Sequence, residues 1–258
     1  MQDLLQRRIA NTLDQDKEYL MRARLAPLVY DGGYDSIADL VAAARGGNRA
    51  VQDHIVESMT INETTFFRDL HPFRTVSEVI VPDLLRSSQR SLRMWSAAAA
   101  TGQEAYSLAI LMADDFPSAA PPDILGTDVA ESVLQRARSR TYTQLEVNRG
   151  LPARALLRHF EQDGRNWRVK SDVARHVRFE RLNLSQPWRP LPTMDLILLR
   201  NVLIYFDEAT RRDVLERVIA RLRPGGYLLL GSAETMLVRS DVVERLTFGA
   251  TVCFRARE

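Results

Sequence analysis

Two carboxylates, Glu104 and Asp128, stand beside small residues where a ligand could lie against the backbone. Glu104 belongs to residues 95–107, WSAAAATGQEAYS, which read as a strand, a run of small side chains and a helix start. Small residues there let a ligand approach the outward-pointing amides of the helix. A dinucleotide site asks for G-x-G-x-x-G against a pyrophosphate, whereas this loop offers Gly102 alone and no basic residue. It therefore suits an uncharged or cationic nucleoside, with Glu104 placed to face an ammonium or sulfonium. An alanine-rich packing turn would use the same residues. Asp128 follows Gly102 by 128 − 102 = 26 residues, near the roughly 20 expected before a ribose-binding acid in a βαβ unit. Its other reading is an N-cap for the next helix.

Two further passages mix polar and apolar residues. Residues 198–206, LLRNVLIYF, place Arg200-Asn201 at the carboxyl end of an apolar strand, the edge where open α/β sheets bind ligands; capping of the strand end is the alternative. Residues 59–69, MTINETTFFRD, combine hydroxyls, aromatics and Arg68 ahead of the sheet, and spacing alone assigns them no role beyond a linker. His54, His71, His159 and His176 are scattered without ligand spacing, so no metal site is expected.

The elements that must position these residues change character along the chain. Leu5, Ile9, Leu13, Tyr19 and Leu20 recur at helical spacing, as do Ile37, Leu40, Val41 and Ala44, and then Val51, Ile55, Val56 and Met59. Asp31-Gly32-Gly33 and Gly46-Gly47-Asn48 separate them. From Leu92 onward strands alternate with helices: strands at residues 92–95, 124–126, 177–179 and 194–199, helices at 104–112, 129–138 and 209–222. This rhythm predicts a parallel sheet wound on both faces. Pro224-Gly225-Gly226 reads as a tight turn before a strand at 227–231, and residues 246–257 as a late antiparallel hairpin. Between 142 and 175 the rhythm lapses around a turn at Asp163-Gly164-Arg165-Asn166, which predicts a small inserted β-subdomain with Trp167 in its core. The expected organisation is an all-α N-terminal domain with linker over 1–75, then an α/β, Rossmann-like domain over 76–258 carrying the insertion at 142–175.

Composition narrows the partners. The 258 residues are 45% hydrophobic and 26% charged with a net charge of +2, so no electrostatic footprint for nucleic acid is present. Cys253 is the single cysteine, which excludes an internal disulfide and fits a reducing cytoplasm. Residues 1–10, MQDLLQRRIA, carry charges where a signal peptide needs an apolar core, and no run approaches the ~20 apolar residues of a membrane span.

Taken together, the passages resemble the chemotaxis receptor methyltransferase family, the CheR type. The similarity rests on residues 60–68, 95–107, Thr127-Asp128-Val129, Asn183-Leu184 and 200–206 in this order, with residues 222–228, LRPGGYL, and 231–234, GSAE, also familiar there. Gln103, Ala105, Leu199 and Ala100 depart mildly from the pattern and remove no charge expected to touch the cofactor. The resemblance implies an S-adenosylmethionine-dependent methyltransferase fold with S-adenosylhomocysteine as product. It implies that Asn62, Thr64 and Arg68 close over the cofactor from the linker and that Ala97 belongs to the cofactor loop. Glu104 would hold the methionine amino group, Asp128 the ribose, and Asn183-Leu184 the adenine. Arg200, Asn201 and Val202 would line the methionine end, and Arg68, Tyr205 and Arg200 form the implied catalytic set.

The implied reaction methylates glutamate side chains on the cytoplasmic helical domain of a chemoreceptor. A glutamate carboxylate is ionised at neutral pH, with a reference pKa of about 4.3, and needs no general base. Alignment and exclusion of water are then the tasks left to the protein. That agrees with the lack of a Ser–His–Asp or Cys–His arrangement. Arg68 and Arg200 could orient the incoming carboxylate, or instead pair with Glu104 or Asp128 and shape the site. Two other readings stand beside this one: methylation of RNA or a small molecule, and a binding adaptor or sensor with little transfer. A monomer without direct membrane insertion is expected. Docking would use the N-terminal arginines Arg7, Arg8, Arg22, Arg24, Arg45 and Arg49. The short turn at 161–166 predicts that no C-terminal receptor pentapeptide tether is used.

Overall fold

A computed structural model describes residues 18–87, 90–238 and 241–257. Leu5, Ile9 and Leu13, and with them Arg7 and Arg8, lie outside the described residues.

Three helices come first: α1 (Glu18–Asp31), α2 (Ile37–Arg45) and α3 (Arg49–Met59). Local chemistry sets their starts. The Ser36 hydroxyl accepts the Asp39 amide at 3.2 Å, and the Asn48 side chain accepts that of Val51 at 3.3 Å, satisfying N–H groups that a helix leaves free in its first turn. Their apolar faces meet in a cluster of Leu25, Leu40, Ala44, Val51, Ile55, Val56 and Met59. Val129, from the α/β part, packs against the same cluster, so the helical leader is seated on the sheet edge.

A helix absent from the periodicity reading follows the linker: α4 (His71–Thr75) continues through a π-helical stretch, Val76–Ile80, into α5 (Val81–Ser87). Residue 75, the sequence-drawn domain limit, therefore falls inside a continuous helical rod rather than at a break. A five-residue turn shifts the 3.6-residue spacing, which is why the apolar pattern there fits no regular template.

The main sheet has seven strands in the order β6-β2-β1-β7-β8-β10-β9: β1 (Arg93–Ala97), β2 (Asp123–Asp128), β6 (Val177–Arg181), β7 (Met194–Leu199), β8 (Leu222–Leu230), β9 (Val243–Phe248) and β10 (Thr251–Ala256). The first five in space are mutually parallel, and β10 runs antiparallel to both β8 and β9. Every residue of β7 is buried, as expected of a parallel strand covered on both faces. Its one polar member, Asp195, sits at the amino end, where it pairs with Arg90 and accepts the Arg93 amide at 2.7 Å. Pro224, Gly225 and Gly226 lie within β8 rather than in a separate turn before it, at a register irregularity opposite Met194 and Leu196. Helices α6 (Gln103–Asp115), α7 (Glu131–Ser139) and α11 (Glu208–Ile219) cover the faces. Gln103 through Met112 of α6 are all buried, and each large apolar side chain so enclosed contributes about 1.5–3 kcal/mol.

A second, three-stranded sheet, β3-β5-β4, joins β3 (Thr141–Thr143), β4 (Phe160–Asp163) and β5 (Asn166–Val169). Between β3 and β4 the chain forms α8 (Gln144–Asn148) and α9 (Ala153–His159), and α10 (Ser171–Ala174) leads back to β6. Sequence patterning had located the β4–β5 hairpin and not these short helices. Among the described residues no helix is long and apolar enough to cross a membrane.

Candidate active site

The chain moves from β1 outward through β2 to β6 on one side of the sheet and then returns to β7 and β8 on the other. A crevice opens at the carboxyl ends of strands at such a switch point. Here a cleft lies there. Its floor comes from Ala98, Ala100 and Glu104 after β1, Asp128 and Val129 at the end of β2, and Leu182, Asn183 and Leu184 after β6. Arg200, Asn201, Val202, Tyr205 and Phe206 follow β7, and the roof is the linker at Thr60, Ile61, Asn62, Glu63, Thr64 and Arg68.

Every site residue implied by the sequence lines this cleft except Ala97. As the last residue of β1, Ala97 turns into the apolar cluster on one sheet face and is 1% exposed. Ala98 and Ala100 line the cleft instead, with φ of 61° and 47°. A left-handed conformation at a residue with a side chain is uncommon and costs on the order of 1–3 kcal/mol unless its surroundings impose it. Here Ala99 donates to the Thr127 carbonyl at 2.8 Å and Ala100 to Asp128 Oδ2 at 2.9 Å, which pins the turn. Gly102 (φ 91°) completes it; a Cβ there would sit 2.9 Å from both Ala137 Cβ and Phe179 Cζ.

Asp128 is 6% exposed and has two duties. Oδ2 accepts the Ala100 amide, and Oδ1 accepts Ala130 N at 3.1 Å near the start of α7. Burial pushes its carboxyl above the ordinary range, the backbone amides of Ala130, Ala100 and Val129 pull it back, and the charge of Glu57 pushes it up again. Asp128 does not cap that helix: its N-cap is Ala130, without a side-chain cap bond, and Glu57 accepts the Glu131 and Ser132 amides at 2.8 and 3.4 Å, while the Asp128 carboxylate borders the cleft.

Arg200 takes the ion-pair alternative. Its guanidinium is 2% exposed and donates to Glu104 Oε2 at 3.0 Å, Asp69 Oδ2 at 2.7 Å and the Arg68 carbonyl at 3.1 Å. Ser96 Oγ donates to the other Glu104 oxygen at 2.7 Å. With its forks engaged on protein groups, Arg200 fixes Glu104 and the linker rather than greeting a substrate. Arg68 differs: it is half-buried at the roof and donates to the Glu63 carbonyl at 3.1 Å.

The linker is held under strain. Phe67, Asp69 and Leu70 have φ of 47°, 69° and 52°, kept there by tertiary anchors. Phe67 N donates to Ser107 Oγ at 2.9 Å, and the fully buried Phe66 ring meets Tyr142 and Phe160 edge-on at 5.0 and 5.5 Å. Those two rings belong to the second sheet, so the inserted subdomain buttresses the roof from outside. Gly150 makes this approach possible, because a Cβ there would lie 2.1 Å from the Phe66 carbonyl oxygen.

Two buried polar atoms bordering the cleft have no hydrogen-bond partner: Arg200 Nε, a donor, and Asn201 Oδ1, an acceptor. Buried polar atoms rarely stay unpaired. An amino-acid end bearing both a carboxylate and an ammonium is the complement of this pair, and Glu104 and Asp128 supply the negative charge for a cationic nucleoside. The residues present therefore fit S-adenosylmethionine. Sequence reasoning missed the contributions of Thr60, Ile61, Glu63, Val129, Leu182 and Phe206 to the lining, although most lie inside the quoted motifs. It also missed Asp69, which reaches the site only through Arg200.

Switch-point crevice, acid-bearing strand ends and strained small-residue loop define an S-adenosylmethionine-dependent methyltransferase. Residues 62–251 match the family described as "CheR methyltransferase, SAM binding domain". The chain is 34% identical over 253 residues to Chemotaxis protein methyltransferase 1 of Pseudomonas aeruginosa, covering 95% of this chain and 92% of that protein. It is 36% identical over 252 residues to Chemotaxis protein methyltransferase 1 of Vibrio cholerae, covering 95% and 91%. Among solved structures, the N-methyltransferase NodS of Bradyrhizobium japonicum in complex with S-adenosyl-L-homocysteine aligns with a TM-score of 0.42 and 15% identity, over 74% of this chain and 90% of that one. The chain belongs to the CheR methyltransferase family.

Proposed function

We propose that this protein transfers a methyl group from S-adenosylmethionine to glutamate carboxylates on the cytoplasmic helical domain of a chemoreceptor, acting in the cytoplasm as a monomer. The observation that carries the proposal is the inventory of the cleft. Two buried acids and two arginines face it, and among the described residues no histidine, cysteine or lysine lines it. That set suits an acceptor that arrives already ionised, as a glutamate does. The names of the relatives support the receptor as the acceptor.

When bound, S-adenosylmethionine supplies an electrophilic methyl on a sulfonium sulfur. Asp128 would hold ribose hydroxyls, Glu104 the amino group, and Asn183 and Leu184 the base. Asn62 and Thr64 would close the linker over the nucleoside and exclude water. Arg68, with its guanidinium half-exposed at the roof, would orient the incoming carboxylate by charge-assisted hydrogen bonds, and Tyr205 would flank its approach. Arg200 would act by holding Glu104 and Asp69. Labelled methyl transfer to purified receptor cytoplasmic fragments, read as base-labile methyl ester, tests the proposal. Cofactor binding with no ester formed would instead support an adaptor.

Docking rests in this proposal on the helical leader. Arg24 leaves the docking set, because its guanidinium donates to the Met59 and Thr60 carbonyls at 3.4 Å and steadies the linker. The exposed Arg22, Arg45 and Arg49 remain. Tether-independent recognition is supported by the hairpin between β4 and β5, which leaves only Gly164 and Arg165 between its strands. Saturable binding of a receptor-tail pentapeptide in calorimetry would refute it.

A further inference from the structure

We infer that Glu234 is a positioning residue of the cofactor cleft: its buried carboxylate sets the conformation of the Asn201–Tyr205 loop that forms one wall. Glu234 is 0% exposed and lies in the 3-10 helix Ser232–Leu237 beyond β8, outside the cleft lining. Oε1 accepts the amides of Leu203 and Ile204 at 2.7 and 3.3 Å. Oε2 accepts those of Asn201 and Gly231 at 2.7 and 2.9 Å. Four backbone donors thus converge on one carboxylate, and three belong to the loop after β7. Leu203 and Ile204 open the 3-10 turn Leu203–Tyr205, whose first N–H groups have no partner within the turn. Asn201 is held at φ 60°, a conformation its sequence neighbours do not impose. The outcome is the placement of Asn201, Val202 and Tyr205 along the cleft.

Gly231 completes the device. Its backbone is extended (φ −63°, ψ 150°), so any residue could adopt it. A Cβ there would nevertheless lie 2.7 Å from Glu234 Oε2 and 2.9 Å from Asn201 Nδ2. The absence of a side chain is required by the carboxylate and the loop it holds, not by backbone conformation. The inference needs only the cofactor cleft and is independent of the identity of the methyl acceptor.

Glu234→Gln is near-isosteric, yet whichever way its amide turns, an NH2 group faces two of the four backbone donors. Those donors lose their acceptor while buried. Binding of S-adenosylhomocysteine by calorimetry, together with amide hydrogen exchange, tests the inference on the full chain. Wild-type binding establishes the cleft; its absence would overturn the cofactor assignment itself. With that in hand, Glu234→Gln is expected to bind about tenfold or more weakly, with faster exchange at Asn201, Leu203 and Ile204. A remote core variant, Leu84→Ala, serves as the stability control and is expected to bind like wild type. Affinity within twofold of wild type and unchanged loop exchange in Glu234→Gln would overturn the inference. Should that variant fail to fold, Gly231→Ala keeps the carboxylate and is expected to weaken binding to a similar degree; wild-type affinity there would also overturn it.

Discussion

Replacing Asp128 separates its structural duty from its ligand duty. In the native protein its two oxygens hold Ala100 N at 2.9 Å and Ala130 N at 3.1 Å, and burial raises its pKa. Asp128→Asn keeps one acceptor and turns an NH2 toward the other amide, a loss of about 1–3 kcal/mol for a buried donor left unpaired. Removing a desolvated charge returns part of that, so the net change in folding stability is expected to be below about 2 kcal/mol. Binding is expected to suffer more. Each charge-assisted hydrogen bond from a ribose hydroxyl contributes about 1.5–3 kcal/mol, so Asn, with one such acceptor lost, is expected to weaken S-adenosylhomocysteine about ten- to hundredfold. Asp128→Ala loses both and is expected to be weaker still. The raised pKa adds a pH signature with opposite signs. Protonation removes an acceptor, so affinity falls as pH drops through the raised value. The folded state holds the proton more tightly than the unfolded one, so stability of the free protein falls as pH rises through the window between the ordinary carboxylate value and the raised one. Calorimetry and urea melts across that range measure both. Affinity within threefold of wild type in the Asn and Ala variants, with unaltered melts, would refute the ribose assignment.

Arg68→Ala is expected to lower kcat and kcat/KM together while leaving cofactor affinity within a few-fold, because its roof position serves the acceptor; an unchanged kcat in methyl-ester assays would reduce Arg68 to a structural part. Arg200→Ala strands Glu104 as a buried, unpaired carboxylate and is expected to cost about 3 kcal/mol or more in urea unfolding, with no rescue of binding by salt. Charge reversal at Arg22, Arg45 and Arg49 is expected to slow receptor methylation at low ionic strength and to matter little at high salt, where screening shortens to a few ångströms; no effect in either buffer would move docking elsewhere. Burial pushes the Cys253 thiol up to about 11, and the side chain is 0% exposed, so a thiol reagent at pH 8 is expected to label it only at the rate of unfolding. Immediate labelling of the native protein would contradict that packing.

Much of the architecture was legible from local pattern. Residues 194–199 are apolar but for Asp195 and form β7 without a change of boundary, because a parallel strand covered on both faces has no polar alternation to blur it. Gly46-Gly47-Asn48 was legible as a break between helices, whereas the capping bonds of Asn48 and of Ser36 appear only in the structure. Glu104 and Asp128 could be singled out because strand-to-helix turns place their residues at the sheet's carboxyl edge wherever that rhythm holds, whereas Asn183 entered only through the resemblance to the family.

What the tertiary structure alone decided are relations between distant residues. Arg200 meets Glu104 across 96 positions and Asp69 across 131, so no spacing rule distinguishes its ion-pair role from a substrate-facing one. Ala97 and Ala98 are adjacent alanines, and only the end of β1 and the left-handed turn after it send one into the core and the other to the cleft. The helix at 71–87 escaped because its N-cap, Leu70, supplies no side-chain acceptor and a π-helical stretch breaks its period. Gly231 reads as the last residue of a strand until Glu234 and Asn201 are seen to fill the space beside it. Local sequence encodes which element forms, since propensity and capping act within a few residues. Which charges share a site is settled by packing, where burial makes an unpaired group too costly to leave.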